Sequence, residues 1–215
     1  MRTNAELRAI ARQSLSGAWG LAALAMLIFM AVSYAIGYFS LLVPVLGFLI
    51  PLLLAGPLYY GILAYFLRTV RGERPELPVL FSGFSRLGVT IGLFIIAYVL
   101  VALWSILLII PGIIAQLRYS MAYFILHDHP DMSALEAIRQ SKEMMRGRKG
   151  KLFLLFLSFI GWIILSVITF GIGFLWLYPY MMTSMAAFYE DLRANRQPAA
   201  EAGFAHDPAQ PASPI

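Results

Sequence analysis

The sequence predicts an all-α polytopic membrane protein, with six transmembrane helices arranged as three hairpins and joined by cytoplasmic amphipathic helices. Three observations predict it: an excess of apolar residues, the positions of the charges, and turn signals in the middle of each apolar block. Of 215 residues, 60% are apolar and 13% charged, against roughly 45–50% and 25% in soluble domains. That balance excludes an ordinary soluble globule. It lies equally far from the polar composition of disordered chains. With no cysteine, thiol chemistry and a disulfide framework are excluded too.

No Asp, Glu, Lys or Arg lies between Arg12 and Arg68, between Arg86 and Arg118, or between Lys151 and Glu190, gaps of 55, 31 and 38 residues. A helix crossing a hydrocarbon core of roughly 30 Å needs about 20 residues. The first and third gaps therefore hold two crossings each. The middle block regains apolar sequence after Arg118 and runs from Leu87 to Leu126, 40 residues, which also fits a pair. Turns are marked by Pro44 within Ser40 to Gly47, by Pro111-Gly112 and by Gly171-Ile172-Gly173. The predicted spans are 18–39, 46–67, 88–110, 112–126, 152–170 and 174–189. The fourth is short, as a tilted or partly re-entrant segment would be.

Fifteen of the 16 Lys and Arg residues, and all 11 acids, fall on one side of this arrangement, and the three tips carry no charge. The positive-inside rule makes that side cytoplasmic, with both termini inside. The basic loop residues Arg139, Lys142, Arg146, Arg148, Lys149 and Lys151 are then a membrane-surface feature facing anionic headgroups. They lack the aromatic interleaving that stacks bases, so nucleic acid is not expected as a partner. A cleavable signal peptide ending near Ser33-Tyr34-Ala35 is the competing account of the N-terminus. The apolar run continues past that site, however, and Leu7, Ile10, Ala11 and Leu15 share one face of a helix suited to the inner leaflet.

The chain divides into one transmembrane domain, 1–192, and a tail, 193–215, expected to be disordered in the cytoplasm. Within the domain three units are discernible, 4–68, 76–128 and 133–192. Each has a mixed or amphipathic segment, then a glycine, then a hairpin. The third segment starts with the capping-box pair Ser133 and Glu136 and stops at Gly147. Tyr60, Tyr119 and Tyr180 recur in the second helices at intervals of 59 and 61 residues, and each such helix reaches the inner boundary with an aromatic pair: Tyr65-Phe66, Tyr123-Phe124 or Phe188-Tyr189. Aromatic belts and hairpin length impose such a period without any repeat, so both readings stand. A true repeat would bring the second helices together about a pseudo-threefold axis.

Pro111-Gly112-Ile113-Ile114, Arg118-Tyr119-Ser120-Met121-Ala122, Ser141-Lys142, Gly147, Leu152-Phe153, Gly161-Trp162, Gly171-Ile172-Gly173, Pro179-Tyr180 and Phe188-Tyr189 together resemble the signature of a bacterial integral-membrane family called domain of unknown function 975. The resemblance covers roughly Asn4 to Leu192. It implies a multi-helix protein of the bacterial inner membrane and brings no activity with it.

Arg118 stands out among the residues as a permanent cation near the middle of the fourth span. Its burial in lipid costs at least about 2.5–3.5 kcal/mol on insertion scales, and it keeps its proton. Three explanations compete: snorkelling to the outer interface, pairing with carbonyls and tyrosine hydroxyls, or acting as counter-charge to a phosphate or carboxylate. Gln116, Tyr119, Tyr60, Tyr178 and Tyr180 fall at comparable depth and complete a mid-membrane polar layer if the even helices meet. The expected function is non-enzymatic: binding or translocating an anionic lipid or amphiphile at that layer. The alternative is an accessory protein docking a partner through its basic loops, with a homo-oligomer also compatible. His127-Asp128-His129 with Asp131 reads as a loop cap and not a metal site. No cofactor motif and no paired intramembrane carboxylates are present.

Overall fold

The fold is described here from a computed structural model, which describes residues 1–42, 47 and 49–195. Among these residues there are helices and no strands. Helix α1 (Asn4–Leu15) is opened by a capping box: the Thr3 hydroxyl accepts from the Glu6 N–H at 3.3 Å, and the Glu6 carboxylate accepts from the Thr3 N–H at 2.6 Å. The bond from the Thr3 N–H first, and the nearby Thr3 hydroxyl second, hold the Glu6 carboxyl below its usual range. Gly17, at φ +76°, ends the turn in the left-handed region where glycine fits best.

Next come α2 (Trp19–Leu42) and α3 (Leu49–Val70), then a 3-10 stretch (Leu77–Arg86), and α4 (Leu87–Leu107). The following crossing is split into α5 (Ile109–Tyr119) and α6 (Ala122–Asp128). After α7 (Ala134–Met144), the fifth is split into α8 (Lys149–Leu157) and α9 (Ile160–Ile168). The chain then enters α10 (Phe174–Ala194).

Among the described residues five segments are long and apolar enough to cross a membrane: Trp19–Leu42, Leu49–Val70, Leu77–Ile106, Ile109–Asp128 and Lys149–Ile168. The sixth expected crossing, α10, has the length at 21 residues but is too polar to join them. It is also among the most enclosed helices. Thr183 and Ser184 are fully buried, and their hydroxyls donate back to the Pro179 and Tyr180 carbonyls at 2.7 and 2.8 Å. A helix ringed by other helices meets little solvent or lipid, so its sequence needs no continuous apolar surface.

Other expectations are corrected in detail. The apolar face of α1 does not lie free on a leaflet. Leu7, Ala11 and Leu15 are completely buried, with α1 packed on α10. The second unit's mixed segment is a 3-10 stretch running directly into α4, and Gly88 lies inside α4 without a break. The second turn falls at Leu108, whose backbone is extended at φ −163°, ψ 146°. Pro111 and Gly112 lie just after it in the first turn of α5, where a missing proline N–H costs nothing. The fourth crossing therefore spans about 20 residues, interrupted at Ser120-Met121, and is not short. The third turn is as expected, with Gly171 at φ +88° and Phe170 at φ +53° beside it. The turn at Pro44 and most of the tail, 196–215, lie outside the described residues.

The packing order is cyclic. The 3-10 stretch packs on α3, α7 packs on α5 and α6, and α1 packs on α10. Each entry segment thus covers the second helix of the unit before it, with the first covering the last. At the centre α3 contacts α6 and α10, and Phe66, Phe124, Phe188 and Tyr189 are buried there to 2% exposure or less. Phe124 and Tyr189 stack at 5.1 Å between ring centres.

The sequence reading also missed a motif at the tips. Ser40, Ser105 and Ser166 each precede a glycine, Gly47, Gly112 and Gly173, by seven residues. All three hydroxyls donate to the carbonyl four residues back, at 2.6–2.8 Å. A Cβ on Gly112 or Gly173 would come within about 3 Å of the Cα of Ser105 or Ser166. The glycine thus lets the two helices of each of these hairpins touch backbone to backbone.

Candidate functional site

At one end of the bundle the C-termini of α3, α6 and α10 converge on an ion network. Arg71, just past α3, donates from Nη2 to both oxygens of Asp128 at 2.7 and 2.8 Å, and from Nε to Glu190 at 2.8 Å. The Tyr189 hydroxyl donates to Asp128 at 2.8 Å, and Arg193 stands 3.4 Å from the same carboxylate. Burial works against the Arg71 charge, but the bonds to Asp128 and Glu190 outweigh it and hold the guanidinium more firmly protonated than usual. Helix C-termini disfavour anions. Asp128 ends α6, so this cation offsets an otherwise unfavourable placement.

Beside the network, Tyr60 bonds His127 at 3.2 Å. His127 and Asp128 are thereby committed to protein partners. Among the described residues no group of three His, Asp or Glu side chains is placed to hold a metal. A second carboxylate, Asp191, is 4% exposed. It accepts from the Arg2 N–H at 3.1 and 3.2 Å and lies 3.7 Å from Lys151, tying the N-terminus of the chain to the start of α8.

Arg118 sits at the end of α5 beside α7. Its carbonyl accepts from the Ser141 hydroxyl at 2.9 Å, and that hydroxyl in turn accepts from the Met121 N–H at 3.2 Å. One fully buried serine thus satisfies both backbone groups freed by the α5–α6 break. Ser141→Ala is expected to cost about 1–3 kcal/mol, the penalty for buried groups left unpaired. Hydrogen exchange at the Met121 amide should rise by a corresponding factor; an unaltered rate would refute that role. The Arg118 guanidinium is half-buried and makes no hydrogen bond or ion pair among the described residues.

The six residues expected to form one polar layer are divided among different surroundings. Tyr60 is beside the ion network, on His127. Tyr178 packs against Phe174 at 5.3 Å. Gln116 and Tyr119 line a cavity of about 470 Å³ that Arg118 does not line. Tyr180 lines a fourth environment, a groove of about 820 Å³ between α1, α9 and α10. Of the basic loop, Lys142 and Arg146 are exposed, and Arg148 and Lys149 are half-buried. Arg139 pairs with Glu136 at 2.8 Å, and Lys151 turns inward to Asp191.

That groove was not anticipated. Arg8 and Arg12, one turn apart on α1, line it together with Trp19, Trp162 and Trp176, three of the four tryptophans in the chain. Trp19 and Tyr180 have ring centres 6.4 Å apart. The Arg8 Nε is buried without a partner, and neither guanidinium pairs with a carboxylate among the described residues. The sequence carried a signal for it. Arg8 and Arg12 share the helical i, i+4 spacing, but read only as markers of orientation they say nothing about what faces them.

A family model described as "Protein of unknown function (DUF975)" matches residues 1–114 and 90–196. Neither a curated protein nor a solved structure matches the chain.

Proposed function

Because the chain belongs to the DUF975 family, whose function is unknown, its role has to be read from its own residues, and we propose that it is a non-enzymatic inner-membrane protein that binds or moves an anionic amphiphile. In this reading the bundle crosses the bilayer six times as three hairpins, with α10 as the sheltered sixth span and both termini in the cytoplasm. The cyclic packing and the recurring serine–glycine pairs support three repeated units around a pseudo-threefold axis.

The observation that carries the ligand assignment is the pair of guanidiniums, Arg8 and Arg12, without a carboxylate partner among the described residues, on a groove otherwise rich in tryptophan. Guanidinium groups bind phosphate and carboxylate oxygens with paired N–H donors. Indole and aliphatic walls accommodate an acyl or prenyl chain. The anion site moves, in this reading, from Arg118 to α1, where two cations act together at the side of the membrane that is rich in basic residues.

The test is lipid content. Protein purified in mild detergent is expected to retain phosphatidylglycerol, and Arg8→Gln with Arg12→Gln should reduce it about tenfold or more, the worth of one lost charge-assisted hydrogen bond. Arg118→Gln should leave it unchanged. Equal retention in the double variant would overturn the assignment. If lipid content is unaffected while function in cells is lost on neutralising Lys142 and Arg146, the docking role of the basic loop is favoured instead.

A further inference from the structure

We propose that the cavity lined by Gln116 and Tyr119 is a second ligand site, one that takes a neutral, chiefly apolar lipid bearing a carbonyl or hydroxyl. The inference rests on the membrane-spanning reading above but not on the anion groove.

The cavity is built from three units at once: Tyr59 of α3, Phe94 of α4, Gln116 and Tyr119 of α5, Tyr123 of α6 and Met185 of α10 all line it. Its volume of about 470 Å³ lies within the roughly 300–1,000 Å³ of small-molecule sites. No charged side chain lines it, although Arg118 lies between two residues that do. An anion would find no counter-charge there.

Its few polar groups are nonetheless unspent. The Tyr123 hydroxyl is buried without any hydrogen-bond partner, on a residue only 6% exposed. Its ring stands edge-on to Tyr59 at 5.1 Å. The Tyr59 and Tyr119 hydroxyls and the Gln116 amide also make no hydrogen bond among the described residues. A buried hydroxyl normally finds a partner, because leaving one unmade costs free energy. One buried, unpaired hydroxyl and three more accessible polar groups on the same apolar cavity are matched by a ligand that brings oxygen acceptors and no charge. Gln116 is exposed, so the lining reaches the protein surface, as entry of a ligand requires.

The experiment titrates the purified full-length protein with 1-oleoylglycerol, read by native mass spectrometry, beside 1-oleoyl-lysophosphatidic acid as the anionic counterpart. The wild-type protein is expected to bind one 1-oleoylglycerol saturably. Tyr123→Phe should weaken this about fivefold, the worth of one neutral hydrogen bond, and Ala97→Phe, which fills the cavity from its wall, should abolish it. Both variants should keep the lysophosphatidic acid affinity, which also shows that they are folded. The Arg8→Gln, Arg12→Gln double variant should show the converse. Absence of 1-oleoylglycerol binding to wild type, wild-type affinity in both cavity variants, or loss in the arginine variant alone would overturn this site. Loss of the anionic lipid with 1-oleoylglycerol retained tests the groove separately.

Discussion

Replacing Arg71 with methionine is expected to lower the unfolding free energy by about 2–4 kcal/mol, the cost of breaking a buried ion pair reduced for partial exposure. The side chain of Asp128 is only 8% exposed. Without Arg71 it keeps the Tyr189 hydroxyl and a looser contact with Arg193 at 3.4 Å. Glu190 is left beside it with the same deficit, so two carboxylates face each other at the ends of two helices whose dipoles already disfavour them. Arg71 and Glu190 are each about a quarter exposed, which places the effect below that of a fully buried pair. The measurement is thermal unfolding in detergent as a double-mutant cycle with Asp128→Asn. A coupling above about 1 kcal/mol is expected, whereas additivity within about 0.5 kcal/mol would mean that the two residues act independently.

Gly61→Ala and Gly83→Ala should each cost about 2–4 kcal/mol through overpacking. A Cβ on Gly61 would fall 1.8 Å from the Leu80 carbonyl oxygen, and one on Gly83 would fall 2.1 Å from that of Pro57. Both obstacles are backbone, which cannot rotate away. The two glycines hold α3 and the 3-10 stretch together main chain to main chain, so the substitution has to push the whole segment outward. Unfolding midpoints should fall, and hydrogen exchange over 77–86 should accelerate ahead of global unfolding. Gly88→Ala is the control. It also sits in a helix but meets nothing within 4 Å, so the alanine is expected to be neutral or to stabilise by up to about 1 kcal/mol through helix propensity. Equal tolerance at all three positions would refute the close-contact account.

The helices themselves were legible because their causes are local. The charge-free runs bounded by Arg12, Arg68, Arg86 and Lys151 locate the apolar helices, Ser133 with Glu136 marks a true start, and Gly171 marks a true turn. What failed was local in another sense. Pro111-Gly112 reads as a turn by dipeptide chemistry, yet a proline within the first helical turn is equally well accommodated, and the chain breaks at Leu108 instead. Asp128 reads as a loop residue ten positions from Arg118. Its partner is Arg71, 57 residues away, and no spacing rule connects them. Arg8 and Arg12 read as markers of topology, since nothing near them in sequence reveals Trp162 and Trp176, which come from about 150 residues further on.

Composition and charge order by themselves determined that this chain is helical, apolar enough for several crossings and divided into three blocks, because hydropathy and capping act between residues a few positions apart. Which helices enclose which was decided only in three dimensions. The sheltering of the polar helix α10, the ring of entry segments on α3, α6 and α10, the clasp on Arg71, and the division of the tyrosines between a charged groove and a neutral cavity all depend on contacts between residues tens of positions apart. Such contacts are selected by side-chain shape and hydrogen-bond satisfaction in the packed bundle, and neither quantity exists until the helices meet.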